Sequence, residues 1–159
     1  MNIMTMAGKR EVSELASIAA TTSQMCIATR VRQLSRIITR VYDDALRHLG
    51  ITASQFTLLT QLAQQDGITA VEIGITLDIE KSTLSRNLKR LLALQHMTMD
   101  PPAGRRGRGL HLTARGQAVL QEAYPIWLNV QRRAIEAMGV ESKATLDGLV
   151  GRAEPLIAA

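Results

Sequence analysis

From residue 69 to residue 113 the chain lays out, in order, a short helix, a tight turn, a second helix and an Arg/Gly-rich hairpin. No other stretch restricts the fold as strongly. Thr69-x-x-Glu72 is a capping-box pattern, in which hydroxyl and carboxylate satisfy each other's backbone amides, and it opens an apolar run containing Ile73 and Leu77. Asp78 ends that run. Glu80 stands where the next helix starts, its charge favourable at the positive end of the helix dipole. In the second helix Leu84, Leu88, Leu91 and Leu92 share one side and would be buried, leaving Ser82, Ser85, Arg86 and Lys89 on the other. Met97 and Met99 then alternate with Thr98, and Leu110 and Leu112 flank His111, so each trio reads as a short strand with one buried face. Two short helices across a tight turn, followed by a hairpin, predict a winged helix-turn-helix.

The outer side of the second helix suits a polyanion. Lys81, Ser82, Thr83 and Ser85 offer donors at its start, Lys89 and Arg90 can neutralise phosphates, and Arg86 can present two parallel donors to guanine O6 and N7. Arg105, Arg106 and Arg108 extend the positive charge onto the hairpin tip between Asp100 and Gly109. From Lys81 to Arg115 eight basic residues stand against one acidic residue, a local charge of +7 in a chain whose total is +5, leaving −2 for the remainder. Basic excess confined to one segment is the electrostatic footprint of a nucleic-acid-binding surface, with double-stranded DNA the expected partner. A solvated helix face beside a basic loop is the plainer alternative, and a winged-helix module serving mainly in protein–protein interaction is the other. An enzyme is not expected, because G-x-S-x-G, H-E-x-x-H and P-loop motifs are all missing. The glycines of the tip, Gly104, Gly107 and Gly109, run into a strand rather than a βαβ unit and do not make a dinucleotide loop.

Composition narrows the remainder. Aromatic residues make up 3% of the 159, so the core must be aliphatic, which favours helix packing. One cysteine cannot form an internal disulfide, no apolar run resembles a secretory signal or membrane span, and a reducing cytoplasm is the default. His48, His96 and His111 are widely separated, so neither a metal nor another cofactor is expected.

Residues 1–22 are weakly patterned and form an N-terminal arm, with Val12, Leu15, Ala16 and Ala19 marking a short helix. Residues 23–49 carry Ile27, Val31, Leu34, Ile38, Val41, Ala45 and Leu49 on one face of a long amphipathic helix that Gly50 terminates. Arg40 with Asp44 and Asp43 with Arg47 are spaced to pair along it. Thr52-x-x-Gln55 is a second capping box, and residues 50–112 form the winged lobe. In 113–159 Thr113 caps a third long helix, which Pro125 should kink, and a last helix from about Ser142 gathers Leu146, Leu149, Leu156 and Ile157. The apolar faces of 23–49 and 113–159 exceed what one small lobe can cover, so both segments are expected to serve dimerisation. The predicted architecture is mainly α with a small β-hairpin wing, a winged helix-turn-helix flanked by long dimerisation helices.

This order resembles the multiple-antibiotic-resistance-regulator (MarR) family of bacterial transcription regulators from about Ser23 to the C-terminus. Lys81-Ser-Thr-Leu-Ser-Arg86 is similar to that family's recognition-helix start, and Arg106-x-x-x-Leu110-x-Leu112-Thr113-x-x-Gly116 to its wing-to-helix signature. Two positions depart from it: Gly104 stands where the family usually has an aspartate, and Asp78 where it often has glycine. The resemblance implies a homodimer on a pseudo-palindromic operator, acting as a repressor, with recognition helices in successive major grooves and wings flanking. It also implies release by an oxidant or a small anionic or aromatic effector, bound in a cleft between the dimerisation helices and the lobe. Cys26, near a helix N-terminus that would lower a thiol pKa, is the candidate redox sensor; a buried inert thiol is the alternative.

Overall fold

The computed structural model describes the backbone of residues 4–101 and 107–157 and the side chains of 13–101 and 107–157. Its helices are α1 (Met4–Met25), α2 (Ile27–Leu46), α3 (Ala53–Gln64), α4 (Ala70–Thr76), α5 (Lys81–Ala93), α6 (Ala114–Met138) and α7 (Ser142–Ala153), and its strands are β1 (Ile68–Thr69), β2 (Met97–Met99) and β3 (Gly109–Leu112). Residues 1–39 and 40–159 form two compact units.

In the first unit the weakly patterned N-terminus is helical from Met4, longer than the short helix expected. The long helix expected from Ser23 instead starts at Ile27, after a break at Cys26. Leu15 and Ile18 of α1, and Val31 and Leu34 of α2, are exposed. No described helix is long and apolar enough to cross a membrane.

The second unit is built on one apolar cluster. Leu46, Ile51, Leu58, Leu59, Leu62, Ile68, Ile73, Leu91, Met97 and Leu110 are all but fully buried, so α3, α4, α5 and the sheet share a single core. Local chemistry sets where the helices begin. Thr52 accepts from the Gln55 amide while the Gln55 side chain accepts from the Thr52 amide, and Thr69 and Glu72 repeat the exchange for α4. Thr113 accepts from the Gly116 amide at 3.0 Å to start α6. Gly50 (φ 70°) and Asp78 (φ 47°) adopt the left-handed backbone that ends their helices.

Two features differ from expectation. The wing is a three-stranded antiparallel sheet in the order β1–β3–β2, since Ile68 pairs with Leu110 in addition to the expected hairpin of β2 with β3, in which Met97 pairs with Leu112. The (i, i+4) pairs on α2 are replaced: Arg47 binds Asp44, and Asp43 Oδ1 accepts the Ala53 amide at 2.7 Å, capping α3 from outside. An orphan helix-start amide is a better partner for Asp43 than a solvated guanidinium. Pro125 lies inside α6, as its position in the sequence implied.

Candidate nucleic-acid interface

The second helix of the motif, α5, buries Leu84, Leu88 and Leu91 and leaves Lys81, Ser82, Ser85, Arg86, Lys89 and Arg90 exposed, with Thr83 half-buried. Leu92, expected among the buried leucines, is only partly covered. Its start is held by Glu80, whose carboxylate accepts from the Ser82 amide at 2.8 Å and the Thr83 amide at 3.1 Å. The Ser82 hydroxyl also donates to Glu80, so this residue, expected to face a nucleic acid, is engaged in the cap. These hydrogen bonds, from the Ser82 side chain first, hold the Glu80 carboxyl below its usual pKa.

Arg86 is oriented by its own helix. One of its terminal nitrogens donates to Thr83 Oγ1 at 3.2 Å, which draws the guanidinium toward the helix N-terminus. Asn87 donates to the Thr83 carbonyl at 3.1 Å and accepts from the buried Gln55 at 3.5 Å, so α3 and α5 are joined by a polar link as well as by leucines. Sequence patterns singled out neither Gln55 nor Asn87 for this link, because it spans 32 residues.

On the wing, Arg105 and Arg106 lie outside the described residues, as does Gly104. Arg108, expected at a loose tip, instead donates through Nε to the Asp100 main-chain carbonyl across the base of the hairpin. Asp100 thus anchors a wing arginine through backbone rather than carboxylate. The carboxylate is occupied elsewhere: His111 Nε2 stands 3.0 Å from Asp100 Oδ1, and Nδ1 of the same ring stands 2.8 Å from Asp66 Oδ1. The hydrogen bonds to Asp66 and then Asp100 raise the pKa of His111 above the ordinary histidine value.

The other expected residues are Cys26 in the first unit and four apolar residues of the second. Cys26 sits at the head of α2, where hydrogen bonds from the Thr29 side chain and amide, then from the Ala28 amide, lower its pKa. Leu146, Leu149, Leu156 and Ile157 are all exposed along α7 and the short 3₁₀ turn after it. Between α3 and α6 a cavity of about 480 Å³ is lined by Phe56, Thr60, Leu120, Gln121, Tyr124 and Trp127. The Trp127 ring stacks with Phe56 and Tyr124 at centroid distances of 6.0 and 6.2 Å.

A helix-turn-helix with an exposed basic second helix, backed by a three-stranded wing, defines the winged-helix class of regulators. A MarR-family model matches residues 49–106. The chain is 35% identical over 75 residues to the HTH-type transcriptional regulator TtmR of Methylorubrum extorquens, a match spanning 47% of this chain but only 37% of that protein. It is 27% identical over 118 residues to the multiple antibiotic resistance protein MarR of Escherichia coli, covering 73% of this chain and 82% of that one. Among solved structures it superposes on the transcriptional regulator MosR of M. tuberculosis with a TM-score of 0.73 at 30% identity, over 82% of this chain and 97% of MosR. A second MosR structure, at 29% identity, holds that protein in complex with DNA. The chain belongs to the MarR family.

Proposed function

We propose that the protein is a transcription regulator that binds double-stranded DNA as a homodimer on a pseudo-palindromic operator, acting as a repressor. The observation that supports this most is the pose of Arg86, which is exposed, toward the N-terminal end of α5 and opposite its leucine row, the side from which a recognition helix reads bases in the major groove. The segments 23–49 and 113–159 supply the dimer contacts, and residues 50–112 the DNA-reading lobe. Lys81, Thr83, Ser85, Lys89 and Arg90 accompany Arg86, with Arg105, Arg106 and Arg108 from the wing. Ser82 contributes through the cap instead.

The test is selection of bound duplexes from a random pool, followed by binding measurements on Arg86→Ala. Loss of a bidentate base contact should cost about 1 to 3 kcal/mol and relax preference at one position per half-site. Recovery of no preferred sequence by the wild type would overturn the proposal.

Release is assigned to a small anionic or aromatic effector, for which the cavity between α3 and α6 has a suitable aromatic lining, or to an oxidant acting at Cys26. Mild peroxide should then release DNA from the wild type and not from Cys26→Ser, whereas equal responses would leave the thiol structural. Screening small aromatic acids for release, with Trp127 fluorescence as the occupancy signal, tests the cavity; release without a change at Trp127 would exclude it.

A further inference from the structure

His111 joins three segments that meet at the base of the wing. Asp66 comes from the turn before β1, Asp100 follows β2, and His111 lies on β3 between them. Both ring nitrogens face a carboxylate oxygen within hydrogen-bond distance. A neutral imidazole carries one N–H, so one carboxylate would then meet a lone pair; only the protonated ring donates to both. The site is also built around its neighbours. A Cβ at Gly109 would stand 2.5 Å from Asp100 Oδ2 and 3.3 Å from His111 Nε2, so a side chain there would push the Asp100 carboxylate out of the clip.

Asp100 links the clip to the wing arginine, because its carbonyl accepts from Arg108 Nε and its amide donates to the Gly109 carbonyl at 2.9 Å. We propose that His111 is a positioning residue: its protonated ring ties Asp66 to Asp100 and, through Asp100, holds Arg108 in the pose that meets a DNA phosphate. The inference rests on the wing being a DNA contact. Among the described residues the charged groups facing the ring are Asp66 and Asp100, with Arg108 on the far side of Asp100. Of the neighbouring elements, α3 ends in the neutral Gln64 and Gln65, β2 carries Met97, Thr98 and Met99, and Glu72 of α4 is engaged with Thr69. The charge of Arg115 on α6 falls on His96.

The experiment measures duplex affinity from about pH 6 to about pH 8.5, across the histidine range, for wild type, His111→Gln, Arg108→Ala and the double variant. Wild-type affinity should fall about two- to fivefold as the ring deprotonates, the scale of one exposed pair. His111→Gln should be weaker and flat with pH, and Arg108→Ala should lose the pH dependence too. If Arg108→Ala keeps it in full, the ring acts only as a charge, and positioning is wrong. NMR supplies an arm independent of DNA: His111 should titrate above 6.5, with the Arg108 Nε–H resonance following the same midpoint. Asp66→Asn should lower that midpoint. An ordinary His111 titration, or an Arg108 resonance indifferent to it, overturns the clip. Absence of duplex binding by the wild type at every pH would instead overturn the DNA-binding function, leaving the NMR result to decide the clip.

Discussion

The surroundings of two histidines push their pKa values in opposite directions, for reasons found in the atoms around each ring. His96 is 5% exposed, and its Nδ1 has no hydrogen-bond partner among the described residues. Burial, then the charge of Arg115, lowers its pKa, so the folded state disfavours the imidazolium. Its contribution to stability is full above the ordinary value of 6.5 and is lost as pH falls from there toward the depressed folded value. His111 has its pKa raised, so its contribution is present below 6.5 and lost as pH rises through the folded value. The two partly cancel in the wild type, and a single substitution separates them. Between about pH 7.5 and about pH 5.5, a window that spans the histidine transition, His96→Gln should lose less stability than the wild type in urea titrations. Parallel losses in the two proteins would show that His96 does not titrate abnormally.

At the scale of elements, the start of α6 shows what kind of information a sequence holds. Thr113 was legible as its cap, because the partner amide is three residues away. The same holds for Thr52, Thr69, Gly50, Asp78 and Glu80, whose roles are complete within one turn of chain. Gly116 belongs to that cap, yet its necessity comes from elsewhere: a Cβ there would stand 2.0 Å from the His96 carbonyl and 2.7 Å from Leu112 Cδ1. The α6 backbone is pressed against the turn between α5 and β2, where the Thr113 hydroxyl and amide also donate to the Gln95 and His96 carbonyls, at 2.7 and 3.1 Å. Gly116→Ala should therefore lever α6 off the lobe and destabilise it by about 1 to 3 kcal/mol or more, the range for overpacking a filled site. An unchanged melting temperature would mean that the helix can shift at no cost. Features of this kind were not legible. Strand β1 is two residues long, and Thr69 in it reads as a helix cap; Asp43 reads as a partner for Arg47 until α3 folds against it; His111 reads as a strand residue until Asp66 and Asp100 arrive from 45 and 11 residues away. In the candidate site the exposed row of α5 followed from helical spacing alone, whereas the tether on Arg108 required the hairpin to close.

For the whole molecule, the question is what covers the apolar surface left by each unit. In the first, Leu15, Ile18, Val31 and Leu34 are exposed; in the second, Leu149, Val150, Leu156 and Ile157 are, the last two at 79% and 82%. Scattered apolar residues need no explanation, but rows of them along helices outside a filled core mark an interface. Under the proposed function the partner is a second copy, since a recognition helix that reads one half-site needs a two-fold-related lobe for the other, about 34 to 36 Å away. Replacing Leu149 and Leu156 with Asp should set uncompensated charges in that interface and abolish assembly. The loss should appear in sedimentation as a halved mass, with operator affinity reduced to that of a single half-site. Because Leu149 and Leu156 are exposed in the single chain, the variant's lobe should keep its fold, and its helical circular dichroism checks this. The wild type gives an independent reading: its melting temperature should rise with protein concentration, as mass action demands of a folded dimer in equilibrium with unfolded chains. A wild-type chain that sediments as a folded monomer at micromolar concentration, with a melting temperature indifferent to dilution, would show that these faces are covered by something other than a second copy.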